Sequence, residues 1–342
     1  MSTVQDSVSQ APAVTAPSKK SMTVGTTATL VMLALLVITP LFVKNFIIFQ
    51  MTMVLIYAIA ILALNLLTGG SGQFSLGQSA FYAVGAYTAG ILMEHLGVNY
   101  VLTIPAAGIV CFIFGFLFGF PALRLSGVYL ALATFALAVA MPQILKLNVF
   151  EHWTGGVQGL VITKPDAPFG LKMSQDMWLY YFTLVVSVAI YILAVNLLRS
   201  RSGRALMAIR DNPIAASAMG VDLPLYKTLA FGVSAAFTGI AGALGAIVVQ
   251  FVAPDSFTIQ LAIAIFVGMV VGGVGWLPGS LVGSAFIVFV PNVAEHISKG
   301  LSGAVFGVFL FAVIFLLPHG ARQIAYMIEA LFRKKANPNG KP

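Results

Sequence analysis

Runs of about twenty apolar residues, broken by short polar stretches, recur along this chain of 342 residues. Crossing roughly 30 Å of hydrocarbon takes about 20 helical residues, so each run predicts a membrane-spanning helix. The pattern predicts ten spans, near 27–43, 46–66, 77–95, 100–121, 126–146, 177–198, 228–251, 258–274, 280–294 and 301–318. Only Lys44 and Asn45 separate the first two, which predicts a tight hairpin or one broken unit. The third and ninth carry the weakest signal because they are rich in glycine.

Composition points the same way. Hydrophobic residues make up 59% of the chain and charged residues 8%, and the mean hydropathy is +0.99. A soluble domain carries about 25% charged residues. The expected fold class is therefore all-α, a polytopic integral membrane protein of about ten transmembrane helices. The one cysteine, Cys111, lies inside an apolar run, which predicts a packed thiol and excludes a disulfide framework. Residues 1–26 are polar and lack the layout of a cleaved signal peptide. They read as a disordered cytoplasmic tail, followed by a transmembrane domain over 27–320 and a basic cytoplasmic tail over 321–342.

Charge sets the expected orientation. With the N-terminus in the cytoplasm, ten spans place thirteen of the eighteen Lys and Arg residues inside, including all seven arginines. Cytoplasmic loops carry such an excess, so both termini and the 199–227 segment are expected on the cytoplasmic side. Residues 147–176 then form the one sizeable external loop, flanked by the interfacial aromatics Trp153, Trp178, Tyr180 and Tyr181. Its glycines and prolines predict turns rather than a domain. The net charge of +8 is thus an orientation signal, and no soluble surface is large enough to serve nucleic acid.

The spans hold little chemistry. Glu94, His95, Asp255, Glu295, His296 and His319 all fall at predicted span ends. Proton relays and intramembrane metalloproteases need ionisable groups in mid-membrane, so both classes are disfavoured. A sodium-coupled carrier working through backbone carbonyls stays compatible. No G-x-x-x-x-G-K-[ST] phosphate loop is present; a pump built on this chain draws its power from another polypeptide.

Small residues recur four apart: Gly85 with Ala89, Ala86 with Gly90, Gly232 with Ala236, Ala235 with Gly239, and Gly239 with Ala243. One helix face made of such residues lets backbones approach closely. Two stretches, "LLTGGSGQFSLGQSAFYAVGAYTAGIL" from Leu66 and "VVGGVGWLPGSLVGSAF" from Val270, both open G-G-x-G and reach S-A-F, a faint trace of a repeat. Ser75, Gln78 and Tyr82 follow an i, i+3, i+7 pattern, and Gln73 precedes them in an unwound segment. These uncharged groups suit a path for a polar, neutral or zwitterionic solute. They equally suit hydrogen bonding between helices.

One polar segment stands out, "GRALMAIRDNPIAASAMGVDLPLYK", with Arg204, Arg210, Asp211, Asp222 and Lys227. Within it "RDNPIAASAMGVD" predicts a short helix: Asp211 or Asn212 caps it, Pro213 takes the first position and Gly220 ends it in a left-handed turn. So short a helix is marginal alone and calls for a partner surface. An amphipathic helix on lipid headgroups is the alternative, although its alanines offer little bulk to bury.

Ala215, Ala216 and Gly220 resemble the E-A-A-x-x-x-G core of the cytoplasmic coupling loop of ABC importer permeases; Ile214 stands at the Glu position, and Leu223-Pro224 comes earlier than the motif's I-x-L-P. Together "NLLTGGSGQFSLGQSAFYAVGAYTAGIL", "GRALMAIRDNPIAASAMGVD" and "GMVVGGVGWLPGSLVG" resemble the M-type permease of branched-chain amino acid importers, over roughly residues 45–320. Importers of urea and short-chain amides have permeases of the same kind. The resemblance implies a sister permease subunit, two ATP-binding subunits that hold ATP and Mg, a periplasmic binding protein, surrounding lipid and an inner-membrane location. It implies no cofactor, metal or catalytic residue in this chain. Coupling falls to Arg210, Asp211, Pro213, Ala215, Ala216 and Gly220, and the solute path to Gln73, Ser75, Gln78 and Tyr82.

Overall fold

The computed structural model of the chain describes residues 34–122, 125, 127–165, 173–297, 302–316 and 320–323. The expected N-terminal tail, the C-terminal tail beyond Gln323, most of the first span, Arg124, Lys172, Lys299 and His319 lie outside them. Residues Met1–Lys44 form a unit of their own, in which 34–38 are helical and Thr39–Leu41 make one 3-10 turn.

In the second unit, nine helices stand where nine spans are expected: α1 (Asn45–Asn65), α2 (Gln78–Glu94), α3 (Tyr100–Ala122), α4 (Val128–Leu145), α6 (Gln175–Arg199), α9 (Leu223–Val249), α10 (Ile259–Gly272), α11 (Gly279–Ile297) and α12 (Ser302–Leu316). Six segments among the described residues are long and apolar enough to cross a membrane, including Asn45–Gly70 and Leu223–Val249. Helices α2 and α12, with 17 and 15 residues, are shorter. The described residues are nearly all helical, and the protein is a multi-pass membrane protein.

Helices α1, α2 and α9 form the interior, with α3 against α2 and α9, α6 against α1, and α10 and α11 against each other and α1. Close approach explains this order. A methyl on Gly85 of α2 would overlap the Gly239 carbonyl of α9, and one on Gly242 of α9 would overlap the Tyr82 carbonyl of α2. On its other side α9 meets α3, where a methyl on Gly239 would strike Cys111. At Gly85, Gly239 and Gly242 the small residues are therefore helix packing, as small residues in membranes favour, while Gly90 meets Leu160 and Ile162 of the 147–176 loop. Cys111 is a fully buried thiol. The pair α10–α11 repeats the device, Gly268 against Gly283 and Gly272 against Gly279.

Between α1 and α2 the chain leaves regular α-helix. A five-residue π-turn, Leu66–Gly70, follows α1, and residues 72–77 are irregular. Irregular backbone at membrane depth needs partners within the protein. Here the Leu76 N–H donates to Thr134 Oγ1 at 2.9 Å, and Thr68 Oγ1 donates to the Gln73 carbonyl at 3.1 Å.

Three elements depart from expectation. The segment after α6 holds two helices, α7 (Arg201–Asp211) and α8 (Pro213–Ala218), rather than one. The 147–176 loop starts with a helix, α5 (Asn148–Thr154), ended by Gly155 in the left-handed region. Its later part adds a two-residue strand, β1 (Leu160–Val161), antiparallel to β2 (Phe251–Val252), with Leu160 opposite Val252. The ladder ties the loop to the end of α9.

Candidate coupling and conduit sites

Sequence spacing builds α7 as an amphipathic helix. Gly203, Leu206 and Ile209, three apart, are buried, while Arg201, Arg204 and Arg210 are exposed. Ser200 caps it by accepting from the Gly203 N–H at 3.2 Å. Leu206 packs into a cluster with Leu67, Phe81, Ala230 and Phe231, which seats α7 against the membrane helices.

Helix α8 follows after one extended residue. Asn212 is its cap, accepting from the Ala215 N–H at 3.0 Å, and Pro213 stands at the first helical position. Asp211 is not the cap: it ends α7 and pairs with Arg210 at 2.9 Å. The helix closes in a Schellman arrangement: the Val221 N–H donates to the Ala216 carbonyl at 3.1 Å and the Gly220 N–H to Ser217 at 2.9 Å, with Gly220 at φ +82°. Every residue of α8 is exposed except Ala216. Ile214 is 82% and Met219 86% exposed.

Arg210 reaches away from α8. Its Nη1 donates to the Gly69 carbonyl at 2.6 Å, and its Nε to Asp211 Oδ1 at 2.9 Å. It borders a cavity of about 150 Å³ together with Ser71, Gln73, Pro213 and Lys227.

The four expected path residues divide. Gln73 donates to Ser71 Oγ at 3.0 Å and to the Lys227 carbonyl at 3.2 Å, on the wall of that cavity. Ser75 lies before α2 begins, so the three-residue polar stripe is broken; its hydroxyl accepts from the Gly77 N–H at 3.2 Å. Gln78 is locked between α2 and α9: Nε2 donates to Ser234 Oγ at 3.3 Å and Oε1 accepts from Thr238 Oγ1 at 2.5 Å. Ser234 in turn donates to the Ala63 carbonyl of α1 at 2.8 Å. Tyr82 faces a second cavity, about 90 Å³, with Tyr57, Ser256 and Phe257. Its ring stacks on Tyr57 at 6.3 Å. Gln73 and Tyr82 thus border separate cavities, and the Gln78 knot lies between them in the chain.

Every buried polar side chain among the described residues is neutral, drawn from Ser, Thr, Asn and Gln. Charge stays near the helix ends, as in the Lys146–Asp255 pair at 2.6 Å.

The sequence profile described as branched-chain amino acid transport system / permease component matches residues 46–317. The chain belongs to that family. The high-affinity branched-chain amino acid transport system permease protein LivM of Salmonella typhimurium is 36% identical over 273 residues, 73% of this chain and 62% of the relative. LivM of Escherichia coli is 34% identical over the same shares. A probable branched-chain amino acid transport permease protein LivH, of Methanocaldococcus jannaschii, is 26% identical over 261 residues, 71% of this chain and 81% of the relative. The match thus spans less than two thirds of the LivM proteins of Salmonella and Escherichia. No solved structure matches the chain.

Three features of this permease component escape sequence reasoning. Ile214 of α8 and Met219 at its C-terminal cap carry exposed apolar surface, and their size among alanines was the available signal. Asn65 is buried and brackets the α10–α11 turn: Oδ1 accepts from the Gly275 N–H at 2.6 Å, and Nδ2 donates to the Gly273 and Trp276 carbonyls at 3.3 and 3.1 Å. The two G-G-x-G stretches therefore meet, with Gly69 against Gly275. Nothing in linear spacing signals that meeting.

Proposed function

We propose that this permease component is the M-type membrane subunit of a binding-protein-dependent ABC importer for leucine, isoleucine and valine. It works in the inner membrane, with both termini in the cytoplasm. A sister permease completes the pathway, a periplasmic binding protein delivers the solute, and two partner subunits bind ATP and Mg.

One observation carries the reading: α8 is a capped, closed helix that holds Ile214 and Met219 out from its own chain. So short a helix with large apolar side chains outside suits insertion into a groove of another protein, where those side chains become buried anchors. Movement of the ATP-binding subunits then bears on α8, and the glycine-packed helices behind it tilt as bodies. The LivH relative supports a sister subunit of the same family.

For the path, the cavity at Tyr82 and the cavity at Gln73 serve as its two ends, with the hydrogen-bonded knot at Gln78 and the neighbouring Ser75 as the seal between them. Neutral polar groups beside Phe257, Leu261 and Val249 suit a zwitterion with an aliphatic side chain, which carries no net charge into the membrane.

Reconstitution tests the whole reading. Vesicles holding the chain with its sister permease, ATP-binding subunits and binding protein should take up leucine only with ATP inside the partner compartment. Sodium-driven uptake by the chain alone would sink it.

A further inference from the structure

We infer that Arg210 is the positioning residue that carries movement of α8 to the α1 and α10–α11 junction, a role resting on the importer reading above. Arg210 stands two residues before α8 caps at Asn212, so displacement of α8 reaches it through Asp211 and the extended Asn212. Its guanidinium meets the joint at Gly69, inside the π-turn that ends α1.

That joint is a node. A Cβ on Gly69 would sit 2.6 Å from Gly275 Cα, so the π-turn and the α10–α11 turn touch backbone to backbone. One turn earlier, Asn65 fastens the same α10–α11 turn through three hydrogen bonds. A few residues later Gln73 fastens the start of α9 through the Lys227 carbonyl. Helices α1, α9, α10 and α11 are therefore tied at 65–73. Arg210 adds α7 to them by a charged donor on a carbonyl, a stronger class of hydrogen bond than a neutral one.

The fork geometry of arginine is what the site uses. Nε and Nη2 rest on Asp211, which fixes the plane, and Nη1 is left pointing at Gly69. Gly72, at φ +72°, lies beneath, where a Cβ would come 3.1 Å from Arg210 Cγ. Lysine offers a point charge without this fork. Arg210 also lines the cavity of about 150 Å³, together with Gly72. Arg210 thus moves the node with α7 rather than merely filling space.

The experiment uses the full complex in vesicles and measures solute uptake and ATP hydrolysis together. The wild-type complex is the control for the importer reading: if it hydrolyses ATP without ATP-dependent uptake, that reading fails and Arg210 is not at issue. Given a working wild type, Arg210→Gln should leave the complex assembled and hydrolysing ATP, while uptake per ATP falls roughly tenfold or more, within the usual range of coupling between sites. A residue that merely stabilised the fold would lower assembly and hydrolysis together and leave the ratio unchanged. Where Arg210→Gln does not assemble, Arg210→Lys replaces it, with a severalfold fall in the same ratio expected. A ratio equal to wild type in the assembled variant overturns the inference.

Discussion

Ala216 and Ile214 lie two residues apart on α8 and face opposite ways, Ala216 buried against its own chain at 4% exposure and Ile214 turned out at 82%. The family resemblance alone puts Ala216 at the coupling surface, and an arginine there as a block on docking. The geometry moves the test outward. Ile214→Asp and Met219→Glu should reduce co-purification with the ATP-binding subunits at least tenfold, by placing charge where an apolar anchor is buried. The yield of inserted chain should not change. Ala216→Arg should instead lower that yield, because the side chain meets its own protein. Full retention of the partner subunits by both outer variants would show that α8 docks elsewhere or not at all.

Gly85 and Gly239 make the crossing of α2 and α9. Gly85→Ala places a methyl on the Gly239 carbonyl, backbone that cannot swing aside. Overpacking of this kind costs about 1–3 kcal/mol. Gly307 of α12 supplies the control, since among the described residues nothing lies within 4 Å of the methyl that Gly307→Ala adds. Thermal melting in detergent should separate the two, with Gly85→Ala clearly lower and Gly307→Ala at or slightly above wild type. Equal melting would mean that the crossing can open at no cost.

The seal at Gln78 can be tested by labelling. In a Cys111→Ala background, a cysteine replacing Gln78 or Ser75 should resist a water-soluble thiol reagent at rest, because both positions are buried. During ATP-driven cycling of the full complex the rate should rise as the seal opens. A cysteine replacing Gln73, on the wall of the cavity of about 150 Å³, should react more readily than either at rest. Protection at positions 75 and 78 in every state would assign them to helix packing only.

The spans were legible because a membrane imposes a length and a polarity on each one. Nine expected spans over the described residues meet nine helices, with ends within a few residues for most. Helix α9 starts earlier than expected, at Leu223, because Asp222 caps it, accepting from the Leu225 N–H at 3.1 Å. Hydropathy does not see that hydrogen bond. The α8 helix was legible from Pro213 and Gly220, whose backbone preferences mark helix ends. Helix α7 was not, because its buried face is only Gly203, Leu206 and Ile209 amid arginines. What joins Asn65 to Gly275, or Arg210 to Gly69, depends on residues well over a hundred positions apart. No local pattern carries that information.

The proposed solute rests on what the interior can solvate. Among the described residues the buried polar groups are hydroxyls and amides, and an unpaired charge at the bilayer centre costs several kcal/mol. A strongly ionic solute meets no countercharge among them. A zwitterionic amino acid needs none, because helix ends and free carbonyls can solvate its two termini. Its side chain gains contact where Tyr82 shares a cavity with Val249, Phe257 and Leu261. Urea is equally uncharged but has no apolar part to place against them. Uptake by the complete complex should therefore saturate with leucine and be inhibited by isoleucine and valine, with urea without effect at similar concentration. Replacing Leu261 by Ser should weaken leucine uptake by making that wall polar, and leave ATP hydrolysis by the complex in place. Saturable urea import that excess leucine does not inhibit would move this permease to the urea and amide importers.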